Sequence, residues 1–491
     1  MEKILYSNAN IFDGNKIHTN SSLLISDSKI LAFDKASNFE SNIFDRRIDC
    51  TGMLITESFI DSHTHLLSFS SYMNSPQIDN GEINSKSDLI QQIENIVNNS
   101  KEYWIRIFGL NNTNSFNINK NDLDEISTTL PIVIVLDSLH GNLLNSKALE
   151  IIGISEYSNE PTGVTFDREI NSGNLSGYIF EGDHLIERYI PKSSMSDLND
   201  QVGQVSKIYQ DNGYSLINDA SINNNFIKFE LLCNLASSNS LIPKIIFMPG
   251  FPYLNEFSRE RLQYNSTIGS LRLGHCKIML TSSSGKTVPN FETLSKQINE
   301  SHRAGFPVAI HAVDNLSVKT AIKAIGKNPF ENDRIEHSSE LYDEDIQNIK
   351  NNDIHISTHP SFIFDRGDSY LKDKNQLDLN SLYRIGSLIN SGVTVGYSSD
   401  APVSSVNPFK GIYANFTRCT KSGNSLNPSE KVSIIDTLKM LTTFNKTITN
   451  SENLKSIQIN SNTKMLLIDM DINNIDIHLL KNVNSSIKWI N

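Results

Sequence analysis

The segment Phe59-Ile60-Asp61-Ser62-His63-Thr64-His65-Leu66 constrains this chain more than any other, because an apolar run from Met53 to Ile60 ends there in two histidines one residue apart. Residues i and i+2 of an extended strand share a face, so the imidazoles of His63 and His65 project side by side in chelating geometry. A lone His-x-His also arises by chance. Three later segments give it company: Phe306 to His311, Arg334 to His337, and Val393 to Asp400 each read as an apolar run that closes on a His or an Asp. Four strand ends carrying metal-ligating residue types form a constellation that points to a metal site.

The same segments set the architecture. Candidate strands after the first are Ser215 to Asn218, Pro243 to Met248, Leu271 to Leu280, Pro307 to His311, Arg334 to His337, Ile354 to His359 and Val393 to Tyr397. Helical patterns fall between several of them, as in Asn290 to Ala304, Leu316 to Ile325 and Ser381 to Ser391. Alternating strands and helices predict an α/β fold with a parallel sheet, and eight such units suggest a TIM-type (β/α)8 barrel with ligands at the C-terminal ends of its strands. The gap from 67 to 212 exceeds one crossover and predicts an insertion after the first barrel strand, a natural source of substrate contacts. It holds helix-like segments at Ser87 to Ser100 and Asn145 to Ile152, the strand Ile132 to Leu136, and a hairpin near Gly163 to Ile179. Short strands at Ile4 to Asn8, Ser22 to Ile25 and Lys29 to Phe33, with Ser456 to Ile459, Met465 to Asp469 and Ser486 to Ile490, predict one small sheet domain built from both termini. The expected division is residues 1–53 for its first part, 54–430 for the barrel with its insertion, and 431–491 for a helix and the completing strands.

Charge excludes some partners. A formal net charge of -12 without a Lys or Arg cluster argues against nucleic acid and anionic membrane surfaces. The N-terminus lacks a basic region followed by an apolar core, and no run approaches the roughly 20 apolar residues that span a bilayer. A cytoplasmic protein acting on a small molecule is the expectation, with homo-oligomerisation left open. Cys50, Cys233, Cys276 and Cys419 are too widely spaced for a zinc knuckle or a disulfide framework and read as reduced thiols. Asn-rich stretches such as Asn111 to Asn114, Ile222 to Asn225 and Asn473-Asn474 interrupt apolar runs without replacing them.

Taken together, these residues carry a resemblance. Phe59 to His65, Leu143 to Leu149, Lys277 to Leu280, His311-Ala312-Val313, Arg334 to His337 and Ser399 to Val403 resemble, over nearly the full length, the amidohydrolase superfamily of metal-dependent hydrolases. Within it they resemble the amidohydrolase-3 branch, the YtcJ-like and N-substituted formamide deformylase-like proteins. The resemblance implies a distorted (β/α)8 barrel, a β-sandwich domain formed by both termini, and one or two divalent metals, zinc first with Fe, Mn, Co or Ni as alternatives. It implies that His63 and His65 bind the more buried ion with Asp400, that His311 and His337 bind the second, and that Lys277 bridges both once carboxylated. A lysine ammonium has no lone pair, so Lys277 ligates only as a carbamate. The competing reading is a buried cation paired with a carboxylate such as Glu181. Glu181 itself reads as a ligand, a substrate contact or a salt-bridge partner.

The implied chemistry is hydrolysis of a non-peptide C–N bond in an amide, formamide or cyclic amide, by a metal-activated hydroxide with Asp400 as general base and then acid. His140 matches a histidine that such proteins carry before the Asn-Ser-x-Ala-Leu segment and is a candidate donor to the oxyanion. Its alternative is a solvent-facing loop histidine. His359 stands where relatives more often have Gln and is a candidate substrate contact, not a metal ligand. His275 reads as core or outer shell; His18, His184, His302, His355 and His478 read as packing or surface. Arg384 and Arg418 read as structural ion-pair partners. Two alternatives stay open: a mononuclear deaminase of the same superfamily, which needs no bridging Lys277, and a non-catalytic binding relative. Departures from the family pattern are Glu57-Ser58 in place of Pro-Gly, Asp314-Asn315 in place of Gly-Asp, and Thr281 to Gly285 in place of Asp-Gly.

Overall fold

The computed structural model describes every residue except 1, 40–42, 82, 112–115, 162, 193, 238–240, 242, 284, 374–375, 473–486 and 491. Asn112 to Asn114, Asn473-Asn474, His478 and Ser486 therefore lie outside the described residues. The chain separates into two compact units, one of residues 1–66 with 203–491 and one of residues 67–202.

The larger unit is α/β. Its first parallel sheet takes Phe59–Thr64, Tyr214–Asp219, Lys244–Phe247 and Leu271–Leu273 in that order, with the short antiparallel Thr267–Ile268 on its edge. A second, wholly parallel sheet runs Cys276–Met279, Val308–Ala312, Arg334–His337, His355–Thr358 and Val395–Tyr397. These strands are buried almost throughout, which is why they read as continuous apolar runs and not as alternating ones. The expected strand from Leu271 to Leu280 is two strands, parted at Gly274-His275. A Cβ at Gly274 would sit 2.5 Å from Ile246 Cγ2, so the backbone passes the neighbouring strand too closely for a side chain and turns there.

Among the described residues the strand ladders do not close into one ring; the two sheets meet through isolated bonds. On one side Lys277 N donates to Pro249 O (2.8 Å). On the other, Asn445 Nδ2 donates to Ile60 O (2.5 Å) and Tyr397 O (2.8 Å), and Asp400 N donates to His63 O (2.9 Å). A side-chain amide thus satisfies the two carbonyls that a missing ladder leaves behind.

Helices between the strands begin at sequence-encoded caps. Asn290 accepts from Thr293 N ahead of Phe291–Arg303, and Asp314 accepts from Leu316 N and Ser317 N ahead of Asn315–Lys327. The departure at Asp314-Asn315 is therefore a helix cap. Thr281–Ser283 pairs antiparallel with Lys286–Val288, so that departure is a small hairpin. Helices are shorter than expected at Ile385–Asn390, where Arg384 turns away to pair with Asp343 (2.6 Å) and Glu430 (3.2 Å).

Both termini build one seven-stranded mixed sheet, in which Met465–Ile468 pairs with Leu54–Glu57 and Ile487–Ile490 and the N-terminal strands Ile4–Phe12, Ile17–Ser26 and Lys29–Lys35 follow. Ser456 to Ile459 is a turn, not a strand. Its buried Ile457 packs into the core of this sheet, and Asn460 N and Ser461 O bond to the backbone of Ile30, so one apolar anchor takes the place of an alternating face.

The smaller unit has its own five-stranded sheet in the order Thr165–Arg168, Leu175–Phe180, Gly141–Leu144, Ile132–Leu136, Ile105–Leu110. Its helices include Lys86–Asn99, capped by Ser85, and Ser146–Ile152, capped by Asn145. Separate buried clusters around Leu89, Ile93, Ile107 and Ile134 and around Val133, Leu144, Leu149 and Phe166 give it a core of its own. No described helix is long and apolar enough to cross a membrane.

Candidate metal centre

The first strand is fixed to the last by Asp61. Its carboxylate accepts from Ser399 N (3.0 Å), Ser399 Oγ (2.5 Å) and His63 N (3.2 Å), which ties the His-x-His strand to the loop that carries Asp400. Burial pushes the Asp61 carboxyl up to about 7, against the pull of these donors.

His63 is 1% exposed and its Nδ1 lies 2.5 Å from Glu336 Oε2. A carboxylate only accepts, so the imidazole proton sits on Nδ1 and leaves a lone pair on Nε2. Glu336 is held in turn by Arg334 Nε at 2.5 Å, and Arg334 also donates to Ser62 O (2.8 Å) and Ile448 O (3.2 Å). Burial, followed by the charge of Lys277, holds the His63 imidazole well below its usual range, so it is neutral and able to ligate.

His65 places Nδ1 3.0 Å from Ser221 Oγ and Nε2 3.1 Å from Asp400 Oδ1. Asp400 Oδ1 also lies 3.6 Å from His63 Nε2. Burial would raise the Asp400 carboxyl, but His359, His65 and His63 outweigh it and keep the group below the ordinary carboxylate range. Asp400 has φ 57° and His337 φ 71°, both left-handed and neither glycine. Such backbone costs about 1–3 kcal/mol per residue and persists where the surroundings impose it. At His337 it breaks the alternation of the strand, so Arg334 and Glu336 share one face while His337 departs from the regular pattern into the imidazole cluster.

His337 has a buried Nε2 without a hydrogen-bond partner, and its ring centroid is 4.3 Å from that of His311 and 4.5 Å from that of His359. Lys277 ends in a buried Nζ without a hydrogen-bond partner, and no described carboxylate forms an ion pair with it. Burial brings its ammonium down to about 8, against the Glu336 and Asp400 charges.

The surprise is His359. Its Nδ1 lies 2.9 Å from Ser398 Oγ, and that hydroxyl donates its proton to Thr358 O at 2.8 Å. The serine therefore accepts from His359, which puts the ring proton on Nδ1 and leaves Nε2 as a buried lone pair with no partner. Ligand-capable atoms of His63, His337 and His359 all lie within 4.8 Å of one another, as do those of His63, His65 and Asp400.

These atoms fit a cation. The His63 Nε2 lone pair faces a carboxylate oxygen, an arrangement of two acceptors that is unfavourable unless positive charge lies between them. The buried, unpartnered nitrogens of His337 and His359 add to the same demand.

The remaining candidates belong to the smaller unit or are satisfied. His140 and Glu181 belong to the smaller unit, where His140 Nδ1 pairs with Glu181 Oε1 at 3.0 Å and Glu181 N donates to His140 O at 2.9 Å. His275 bonds Asn332 O (2.9 Å), His302 bonds Asp333 (3.0 Å) and His18 bonds Asp13 (2.6 Å). Arg418 is buried against the carbonyls of Leu426, Tyr383 and Leu382. Sequence reasoning missed the work of Asp61, Arg334 and Glu336. The available signal was two charged residues, Arg334 and Glu336, on one face of an otherwise apolar strand beside a candidate ligand.

Comparison with known proteins gives the family. The Amidohydrolase family model matches residues 46–457. The chain is 24% identical over 431 residues to the amidohydrolase YtcJ of Bacillus subtilis, covering 80% of each. It is 22% identical over 441 residues to an N-substituted formamide deformylase of Arthrobacter pascens, covering 80% of this chain and 79% of that one. A metal-dependent hydrolase of Pyrococcus horikoshii, known from its crystal structure, shares the fold with a TM-score of 0.74 at 19% identity, over 97% of this chain and 99% of that one. On the match across residues 46–457, this chain belongs to the Amidohydrolase family.

Proposed function

We infer that this chain hydrolyses a non-peptide C–N bond, in an amide, formamide or cyclic amide, with divalent metal held at the strand ends. The observation that carries the reading is the His63 Nε2 lone pair facing Asp400 Oδ1 at 3.6 Å with His65 Nε2 3.1 Å from the same oxygen. His63, His65 and Asp400 would hold one ion. His311 and His337 would contribute to a second, with a carboxylated Lys277 supplying anionic oxygens and His359 Nε2 a further imidazole donor in place of the substrate contact expected from the sequence. Zinc suits a set of imidazoles and carboxylates, as do Fe, Mn, Co and Ni.

Such an ion supplies Lewis acidity and acidifies water at neutral pH. Asp400 stays ionised among three imidazoles, so it accepts a proton from the attacking water and returns it to the leaving nitrogen. Glu336 and Arg334 keep the proton of His63 on Nδ1 and so keep Nε2 a ligand. Lys277, with its ammonium brought down to about 8, has a neutral fraction near neutral pH, and a neutral amine is the form that adds carbon dioxide to give a carbamate and a proton. The formamide deformylase relative supports N-formyl compounds as the first substrates to try.

The test is hydrolysis of a panel of N-formyl amines, simple amides and cyclic amides by zinc-loaded protein, with Asp400→Asn as control. Turnover of at least one class that disappears in Asp400→Asn supports the reading. Turnover that is equal in both would reject it.

A further inference from the structure

The strand that ends in His63 begins, with its neighbours in the first sheet, beside a different chemistry. Ser58, Ser215, Lys244 and Ser270 mark the N-terminal ends of the first sheet's strands, and around them lies a cavity of about 350 Å³ within the larger unit, closed by residues 451–464. That volume is at the lower end of the roughly 300–1,000 Å³ typical of small-molecule sites.

Its walls have two characters. Ile60, Leu216, Ile245 and Leu454 give an apolar face. Lys244, Arg272, Lys446, Lys455 and Lys464 give the charged one, and Glu57 is the only carboxylate lining the cavity among the described residues. Lys446 and Glu57 neutralise each other in a buried ion pair. Arg272 is spent on Thr449 O (2.7 Å), Asn450 O and Ser451 Oγ (2.6 Å), so it contributes charge but few free donors. Among the described residues, the ammonium groups of Lys244, Lys455 and Lys464 have no hydrogen-bond or ion-pair partner. Ser270 Oγ is buried at the same wall and likewise has none. Partial burial first, and then the charge of Lys244, holds the Lys464 ammonium below the usual lysine range. This concentration of positive charge stands in a chain of net charge -12.

We propose that this cavity is a binding site for a small amphipathic anion, a carboxylate or phosphate headgroup on an apolar body. The headgroup lies between Lys244, Lys455 and Lys464 with Ser270 as a neutral donor, and the body lies against Ile60, Leu216, Ile245 and Leu454. The site is separate from the metal centre and does not depend on the hydrolase reading.

The experiment is calorimetric titration of the full chain with octanoate, octyl phosphate, inorganic phosphate and 1-octanol, each also after chelator treatment. Saturable binding of octanoate or octyl phosphate at one per chain is expected, unchanged by chelator and weakened at high salt, and the tighter of the two assigns the headgroup. The double variant Lys244→Ser/Lys464→Ser should weaken it tenfold or more, while Lys244→Arg/Lys464→Arg retains it. Both lysines are exposed, so an unchanged circular dichroism spectrum is expected in each variant. Absence of saturable binding by both amphiphiles, or equal affinity in the serine variant, would overturn the proposal. Inorganic phosphate or 1-octanol binding as tightly as the amphiphiles would overturn the pairing of headgroup with apolar wall.

Discussion

The strand ends of the larger unit carry opposite deficits. At the C-terminal ends, acceptors face acceptors: His63 Nε2 and Asp400 Oδ1, with His337 and His359 beside them, are buried lone pairs in want of a cation. At the N-terminal ends of the first sheet, Lys244 and Lys464 line a cavity as cations in want of an anion. The C-terminal deficit is built with care. Within the cluster both rings with a fixed tautomer, His63 through Glu336 and His359 through Ser398, have the proton pinned on Nδ1 and Nε2 left as a lone pair. The N-terminal deficit is built from flexible, exposed side chains on an apolar floor. A pre-organised centre of the first kind suits bond-making chemistry, whereas the second kind suits reversible binding.

That contrast can be broken in graded ways. Asp400→Ala should lower turnover by about 10³-fold or more, since it removes both a ligand and the proton shuttle, whereas Lys244→Ser/Lys464→Ser should leave turnover within about twofold; steady-state kinetics on one substrate compares them. Arg334→Leu leaves Glu336 buried without its guanidinium and should cost about 3–5 kcal/mol of stability, read by urea unfolding. Stripping metal with a chelator should lower the melting temperature, and zinc at 100 times its dissociation constant should restore about 2.7 kcal/mol, with octanoate binding unaffected throughout. Smallest of all, Glu181→Gln breaks a half-exposed pair with His140 and should change stability by less than about 1 kcal/mol; thermal unfolding of this variant sets the floor against which the others are judged.

Much of this was legible before the structure. Strand ends announce themselves where an apolar run stops at a His or an Asp, so His63, His65, His311, His337 and Asp400 could be named from residue type and spacing. Helix starts were equally plain at Asn290 and Asn145, which cap through their own side chains, whereas the helix expected from Ser87 starts earlier, at Lys86 behind its cap Ser85. What stayed hidden depends on backbone and tertiary context. Nothing in the local pattern around His337 says that its φ turns positive. His359 looks like a strand-end substrate contact until Ser398, thirty-nine positions on, fixes its proton. The break at Gly274 comes from the approach of Ile246 on another strand, and the turn at Ser456 to Ile459 comes from Ile457 anchoring in the terminal core. The cavity gathers its lysines from positions 244, 446, 455 and 464, none adjacent in sequence, so no charge run betrays it.

The central claim is that the strand-end imidazoles and Asp400 hold divalent metal, and elemental analysis of metal per chain tests it most directly. Protein purified without chelator and equilibrated with zinc, then freed of loose ions, should retain two ions per chain, with a loss in Asp400→Ala and again in Lys277→Ala. A folded wild-type chain that retains none would contradict the account.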